Sequence, residues 1–288
     1  MRRFKIFICL LACLVPCMAE DYNLVKDVVY GKGGDIELKM DYLTPKVKSQ
    51  KPLPAIVYIH YGGWKGDENS RSVGIAPLAL LVNRGYFCAT ISYRYAPKYT
   101  YPAQIEDCKC AVRFLRAKAK EFNIDPDNIG AMGSSAGGHL SALLGATGDV
   151  KELEGTGGFE GFSSKVQAVA AFCGVFDAAA LFLEHKSIRG TLIDFIGCDL
   201  ESGKEKYQKA SPVYYLTKNA PPFLVAHGDK DRVVPIRQSE LLVGKLKELG
   251  IPYVYYPLKK GEHGSGGEWK IFWDGRITGE FFDKYLKK

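Results

Sequence analysis

From residue 55 onward the chain alternates short apolar runs with stretches of helical period. Ala55 to His60, Phe87 to Tyr93, Ile129 to Met132, Val166 to Phe172, Phe223 to His227 and Tyr253 to Tyr256 each read as strands. Ahead of them, Ile36, Leu38, Met40 and Tyr42 alternate with Glu37, Lys39 and Asp41 after the turn Gly31 to Gly34. That period of two predicts a half-buried antiparallel strand. Following Pro102, the residues Ile105, Cys108, Val112, Leu115 and Ala119 fall 3, 4, 3 and 4 positions apart, which lines one face of a helix. Further helices are predicted from Ala136 to about Ala146, from Pro235 to Leu249 with Gly250 as the C-terminal cap, and in a last segment ending at Tyr285 and Leu286. Strands and helices alternating in this way predict an α/β fold, a mainly parallel central sheet with helices on both faces.

Between Asp177 and Phe223 the alternation lapses. A structureless loop of that length is improbable in a compact domain, so residues 178–215 are expected to form a short helical insertion, lid-like over a site. No linker, repeat or low-complexity tract divides the rest. A single domain over residues 20–288 is the expectation.

Composition adds a core and removes some partners. The 288 residues are 47% hydrophobic and 25% charged, which excludes disorder. Part of the net charge of +7 sits in Arg2, Arg3 and Lys5, ahead of the apolar run Ile6 to Val15 and the small-residue site Cys17-Met18-Ala19. Residues 1–19 read as a secretory signal peptide, the run being too short for a membrane span. Leu10-Leu11-Ala12-Cys13 loosely resembles a lipoprotein processing site, but its Leu before Ala is atypical. A secreted or periplasmic location is expected. Removing the signal leaves 36 bases against 32 acids, net +4, and the bases are scattered, so no nucleic-acid partner is expected. Cys88, Cys108, Cys110, Cys173 and Cys198 show no C-x-x-C spacing, and most read as small core residues. Oligomeric state leaves no mark on the sequence.

Four segments carry candidate chemistry, each after a predicted strand. Gly133-Ser134-Ser135-Ala136-Gly137 has the G-x-S-x-G pattern between the strand Ile129 to Met132 and a helix, the context of a nucleophile elbow. Glycines give the room for a tight strand-to-helix turn, and the helix N-terminus behind the serine favours developing negative charge. In His60-Tyr61-Gly62-Gly63-Trp64, consecutive glycines at a strand end let backbone N–H groups face a substrate oxygen, or simply make a turn. His227-Gly228-Asp229-Lys230-Asp231 offers two aspartates that could orient a histidine or cap a helix. Gly261-Glu262-His263-Gly264-Ser265-Gly266 is a flexible loop.

In the order serine, acid, histidine, an acid at Asp229 or Asp231 leaves His263 as the only histidine far enough along to act as base. His60 and His227 end strands and are expected to orient loops. His139 lies one turn into the elbow helix, and His185 stands in the insertion with no partner in view. An imidazole base must be neutral to take a proton, so activity is expected to fall in acid. The rings of Tyr61, Trp64, Tyr95, Tyr99 and Tyr101 suit stacking on a sugar or phenol, or plain packing. Of these, Tyr61 and Trp64 are the candidate substrate-binding residues. No metal and no cofactor are expected: there is no H-E-x-x-H, no cysteine cluster and no Gly-Lys-Ser/Thr phosphate loop.

With these segments in place the chain resembles the α/β-hydrolases of the esterase/lipase group, in particular bacterial acetyl esterase and feruloyl esterase-like enzymes related to hormone-sensitive lipase. The likeness runs from about Asp27 to Tyr285 and includes Ser92-Tyr93-Arg94, Tyr101-Pro102-Ala103 with Asp107, and Asn128-Ile129-Gly130. The resemblance implies Ser135 as nucleophile, His263 as general base, Asp231 as the orienting acid, and an oxyanion hole from the N–H groups of Gly62, Gly63 and Ala136. It departs from the family where Tyr61 replaces the first of three glycines, which bears on the width of the site. The implied activity is a serine carboxylesterase acting on short-chain esters, small molecules or acetylated xylan-type oligosaccharides, with feruloyl esters second. An amidase or formamidase on the same scaffold, a peptidase, and a non-catalytic binding protein are the rival readings. No propeller of the prolyl-oligopeptidase kind fits within these residues, and all three triad candidates are present.

Overall fold

A single eight-stranded sheet organises the chain in a computed structural model that describes residues 21–287. The predicted signal peptide, residues 1–19, lies outside the described residues. In chain order the strands are β1 (Tyr22–Gly33), β2 (Ile36–Pro45), β3 (Leu53–Ile59), β4 (Phe87–Ile91), β5 (Ile124–Ser134), β6 (Ala168–Phe172), β7 (Phe223–Gly228) and β8 (Tyr253–Leu258). Their spatial order is β1-β2-β4-β3-β5-β6-β7-β8. From β4 to β8 every pairing is parallel, while β1 and β2 form an antiparallel edge. The six apolar runs predicted as strands are the six parallel strands, β3 to β8, of which the edge strand β8 is only partly buried.

Helices fill both faces, and a buried apolar cluster lies on each. They are α1 (Ile75–Val82), α2 (Ala103–Ala117), the single turn α3 (Ala119–Phe122), α4 (Ala136–Ala146), α5 (Ala178–Glu184), α6 (Arg189–Ile196), α7 (Leu200–Lys209), α8 (Arg237–Glu248), the single turn α9 (Lys270–Trp273) and α10 (Arg276–Leu286). Gly250, just past α8, takes φ +68°, the left-handed conformation that its capping role requires. All five cysteines of the described residues are free, and four of them are buried.

The single turn α9 was not predicted, nor were the longer elements β1 and α1. β1 carries register shifts between Val25 and Val28 and between Val29 and Gly31, which break the period of two. α1 is a run of eight residues without a polar position, so no periodicity marks it. At Asp41 the alternation of β2 fails in another way. This acid, on the side read as polar, is 3% exposed and is neutralised by Arg71 Nε at 2.8 Å.

The segment predicted as an insertion folds into α5, α6 and α7, with one short 3₁₀ turn between α5 and α6 and another after α7. Lys65 Nζ meets Asp194 at 2.6 Å, and His185 Nε2 lies 2.8 Å from the carbonyl of Arg232. His185 is therefore partnered, contrary to the sequence reading; its partner lies 47 residues away and only the fold brings it near.

Candidate active site

The four candidate segments converge at the carboxyl ends of β3, β5, β7 and β8, where open α/β sheets place their ligands. β5 runs directly into α4 through Ser135, whose φ of +54° and ψ of −122° are strained for a residue with a side chain. The flanking glycines are steric necessities. A Cβ on Gly137 would lie 1.9 Å from the carbonyl oxygen of Ile59, and one on Gly133 would lie 2.5 Å from the same atom. The N–H of Ser135 donates to the carbonyl of Phe172 at 2.9 Å, which fixes the turn against the end of β6.

His263 Nε2 lies 2.8 Å from Ser135 Oγ, and His263 Nδ1 lies 2.7 Å from Asp231 Oδ2. The three side chains form one continuous hydrogen-bonded chain. The other oxygen of Asp231 accepts the N–H groups of Val233 and Val234 at 2.8 and 2.9 Å, and His227 Nε2 stands 3.2 Å from Oδ2. Burial alone would raise this carboxyl, but hydrogen bonds from His227 and His263 outweigh it and hold Asp231 well below the usual carboxylate range. Asp229, the other aspartate of the loop, faces Lys230 at 3.7 Å instead. His227 acts as the loop-orienting residue expected of it, bridging Ser239 Oγ and the carbonyl of Val234, both at 2.7 Å.

A cavity of about 610 Å³ opens over Ser135 and His263. Gly62 and Gly63, at φ +121° and +63°, line it, and Ala136 begins α4, so its N–H is one of the donors a helix leaves free at its start. Tyr61 lines the mouth and is 47% exposed. The inner wall comes from Tyr58, Val73, Pro77, Cys173 and Trp273. None of these five belongs to the segments singled out as candidate chemistry in the sequence. Tyr58 was hidden as one member of an apolar strand, and Trp273 belongs to a turn with no recognisable motif. No residue of 178–215 lines the cavity. That segment flanks the glycine loop from the side, with the Thr191 methyl 3.1 Å from where a Cβ of Gly63 would stand.

Trp64 does not reach the cavity, so its sequence-based role as a substrate-binding residue is corrected. It is 2% exposed, stacked on Phe195 at 4.1 Å, and its indole N–H donates to His139 Nδ1 at 3.0 Å. Its partner Phe195 comes from α6, so of the two uses open in the sequence, stacking on a sugar or plain packing, the ring serves packing.

Among the described residues, one group of three offers metal-ligand atoms within 4.8 Å of one another: Cys173, Asp231 and His263. Asp231 and His263 are already joined to each other and to Ser135, and burial pushes the Cys173 thiol up to about 12. A metal there would have to displace the protons that the chain holds.

A family model described as BD-FAE matches residues 40–246 of the chain. The chain belongs to the BD-FAE family. Consistent with this membership, the chain is 34% identical over 241 residues to the esterase LipC of Mycobacterium tuberculosis, covering 81% of this chain and 58% of that protein. The chain spans a little over half the length of LipC and of the similar esterase LipQ. Among solved structures, a truncated carbohydrate esterase from gut microbiota is similar with a TM-score of 0.83 at 26% identity, over 93% of this chain and 98% of that one. An acetyl ester-xyloside bifunctional hydrolase from Caldicellulosiruptor lactoaceticus is similar with a TM-score of 0.72 at 25% identity, over 87% and 89% of the two chains. The BD-FAE chain thus has the α/β-hydrolase fold.

Proposed function

We propose that this protein is a serine carboxylesterase that cleaves short-chain acyl esters. The observation that carries the reading is the chain from Ser135 Oγ through His263 to Asp231, at 2.8 and 2.7 Å, opening into a cavity beside paired glycines. Ser135 Oγ bonds to the ester carbonyl carbon as His263 Nε2 takes its proton. The carbonyl oxygen, now an oxyanion, faces the N–H groups of Gly62, Gly63 and Ala136. The tetrahedral species collapses, the C–O bond to the alcohol breaks, and His263 returns the proton to the departing oxygen. Water activated by the same imidazole then releases the acid and regenerates Ser135. Asp231 stays ionised throughout, holding the imidazole in register. Each oxyanion donor in such a site is worth on the order of 3 kcal/mol.

Acetyl groups on xylan-type polysaccharides or oligosaccharides are the favoured substrates, and feruloyl esters come second. Support comes from the carbohydrate and acetyl ester hydrolases that share the fold, and from the exposed ring of Tyr61 at the cavity mouth. An export signal at residues 1–19 would bring the enzyme to such polymers. Hydrolysis of p-nitrophenyl acetate by the wild type, with Ser135→Ala as control, tests the activity. A panel of longer acyl esters, acetylated xylan and methyl ferulate then tests the substrate. Equal inertness of wild type and Ser135→Ala on every ester would defeat the reading.

A further inference from the structure

The loop that carries His263 is poor in stiff residues: Gly264, Gly266 and Gly267 all take positive φ, and Lys260 does as well. Left to itself such a loop has many conformations to lose, yet the Ser135–His263 distance has to be held to a fraction of an ångström. Two tryptophans stand against it. Trp269 Nε1 donates to the carbonyl of Glu262 at 2.7 Å, and Trp273 Nε1 donates to the carbonyl of Gly264 at 3.2 Å. These are the residues on either side of His263. The two indoles are stacked on each other, with centroids 5.7 Å apart and planes 15° apart. Both also meet the ring of Phe172 edge-on, at 6.3 and 6.2 Å. Phe172 is the residue whose carbonyl holds the N–H of Ser135.

We propose that Trp269 and Trp273 are positioning residues that set the distance between the nucleophile and its base. The pair grips the His263 loop by the two carbonyls flanking the histidine and braces it on the residue that anchors Ser135. An indole suits the task because it combines a wide rigid packing face with a single N–H donor. Trp273 also lines the substrate cavity, whereas Trp269 is 1% exposed and does not. The pair therefore acts on the base from behind, and Trp269 does so without touching substrate.

The proposal rests on His263 being the base. Trp269→Phe is the informative variant, since it keeps an aromatic face while removing the donor to Glu262 along with part of the buried ring volume. Expected is a fall in kcat for p-nitrophenyl acetate of about 10- to 100-fold with KM within about twofold. The low-field proton resonance between His263 and Asp231 should broaden or vanish in parallel. Trp273→Phe should lower kcat similarly and shift KM as well. Rates are divided by the folded concentration from far-UV and thermal measurements, so poor folding cannot mimic the effect. An unchanged kcat per folded Trp269→Phe molecule, or a lowered one with an intact His263–Asp231 resonance, would overturn the proposal. Ser135→Ala assayed alongside keeps the two readings apart: residual full activity there removes the esterase assignment itself, whatever the tryptophan variants do.

Discussion

The indole N–H of Trp64 donates to Nδ1 of His139 at 3.0 Å, while His139 Nε2 lies 2.7 Å from the carbonyl of Ala210. An indole only donates and a carbonyl only accepts, so His139 is held neutral with its proton on Nε2. This one imidazole joins the loop of Gly62 and Gly63 to the first turn of α4, and ties both to the end of α7. Those are the two sources of the proposed oxyanion donors.

Trp64→Phe keeps the stacking on Phe195 but leaves a buried acceptor unpaired. The expected cost is about 1–3 kcal/mol in urea unfolding, with a lowered kcat toward p-nitrophenyl acetate. A variant as stable and as active as the wild type would show that the pair does not hold the glycine loop.

Burial lowers His139 and His60 each to about 4, with the carbonyls of Ala210 and Tyr61 offsetting only part of the effect. Between that value and the ordinary histidine range the unfolded chain binds more protons than the native one. Stability is therefore full above about pH 6.5 and lost as pH falls toward 4, on the order of 3 kcal/mol for each histidine. Asp107 works the other way. Burial raises it to about 6 despite its bonds to Arg94, so its native proton gives back roughly 3 kcal/mol over part of the same interval. The net expectation is a fall in Tm between pH 6.5 and 4, measured by calorimetry. A Tm that stays level or rises over that interval would contradict this assignment.

Ser135 occupies φ +54°, a conformation that costs a residue with a Cβ about 1 kcal/mol or more. Both Ser135→Ala and Ser135→Gly should be inactive, but the glycine variant should be the more stable by about 1 kcal/mol. Chemical denaturation of the two checks this, and equal midpoints would show that the turn is unstrained.

Two glycines should respond in opposite ways to alanine. At Gly137 the new Cβ would collide with the Ile59 carbonyl, so the variant should lose about 3 kcal/mol or fail to fold. At Gly244, inside α8, nothing lies within 4 Å, and alanine should add about 0.5–1 kcal/mol. Melting temperatures of both variants decide the point.

The motifs were legible because close approach leaves its mark on residue type. Gly133 and Gly137 are glycine because β3 runs against them, and Gly228 because a Cβ there would lie 2.3 Å from the carbonyl oxygen of Gly261. The parallel strands β3 to β7 were legible as apolar runs for the same kind of reason, since both of their faces are covered, whereas the edge strand β8 is only partly buried. What stayed hidden depends on partners far along the chain. The bulged β1 takes its register from β2, and Trp64 is buried by Phe195 of α6. Trp269 and Trp273 acquire a meaning only once their N–H groups are seen on the His263 loop.

The most direct test of the central claim is covalent capture of the nucleophile. Diethyl p-nitrophenyl phosphate is added to the folded protein, released p-nitrophenol is followed, and the adduct is mapped by peptide mass spectrometry. The expected result is one diethylphosphoryl group per chain, on Ser135, with none on Ser135→Ala and a rate slowed about 100-fold or more in His263→Gln. No adduct on the folded wild type, or an adduct that survives Ser135→Ala, would contradict the account.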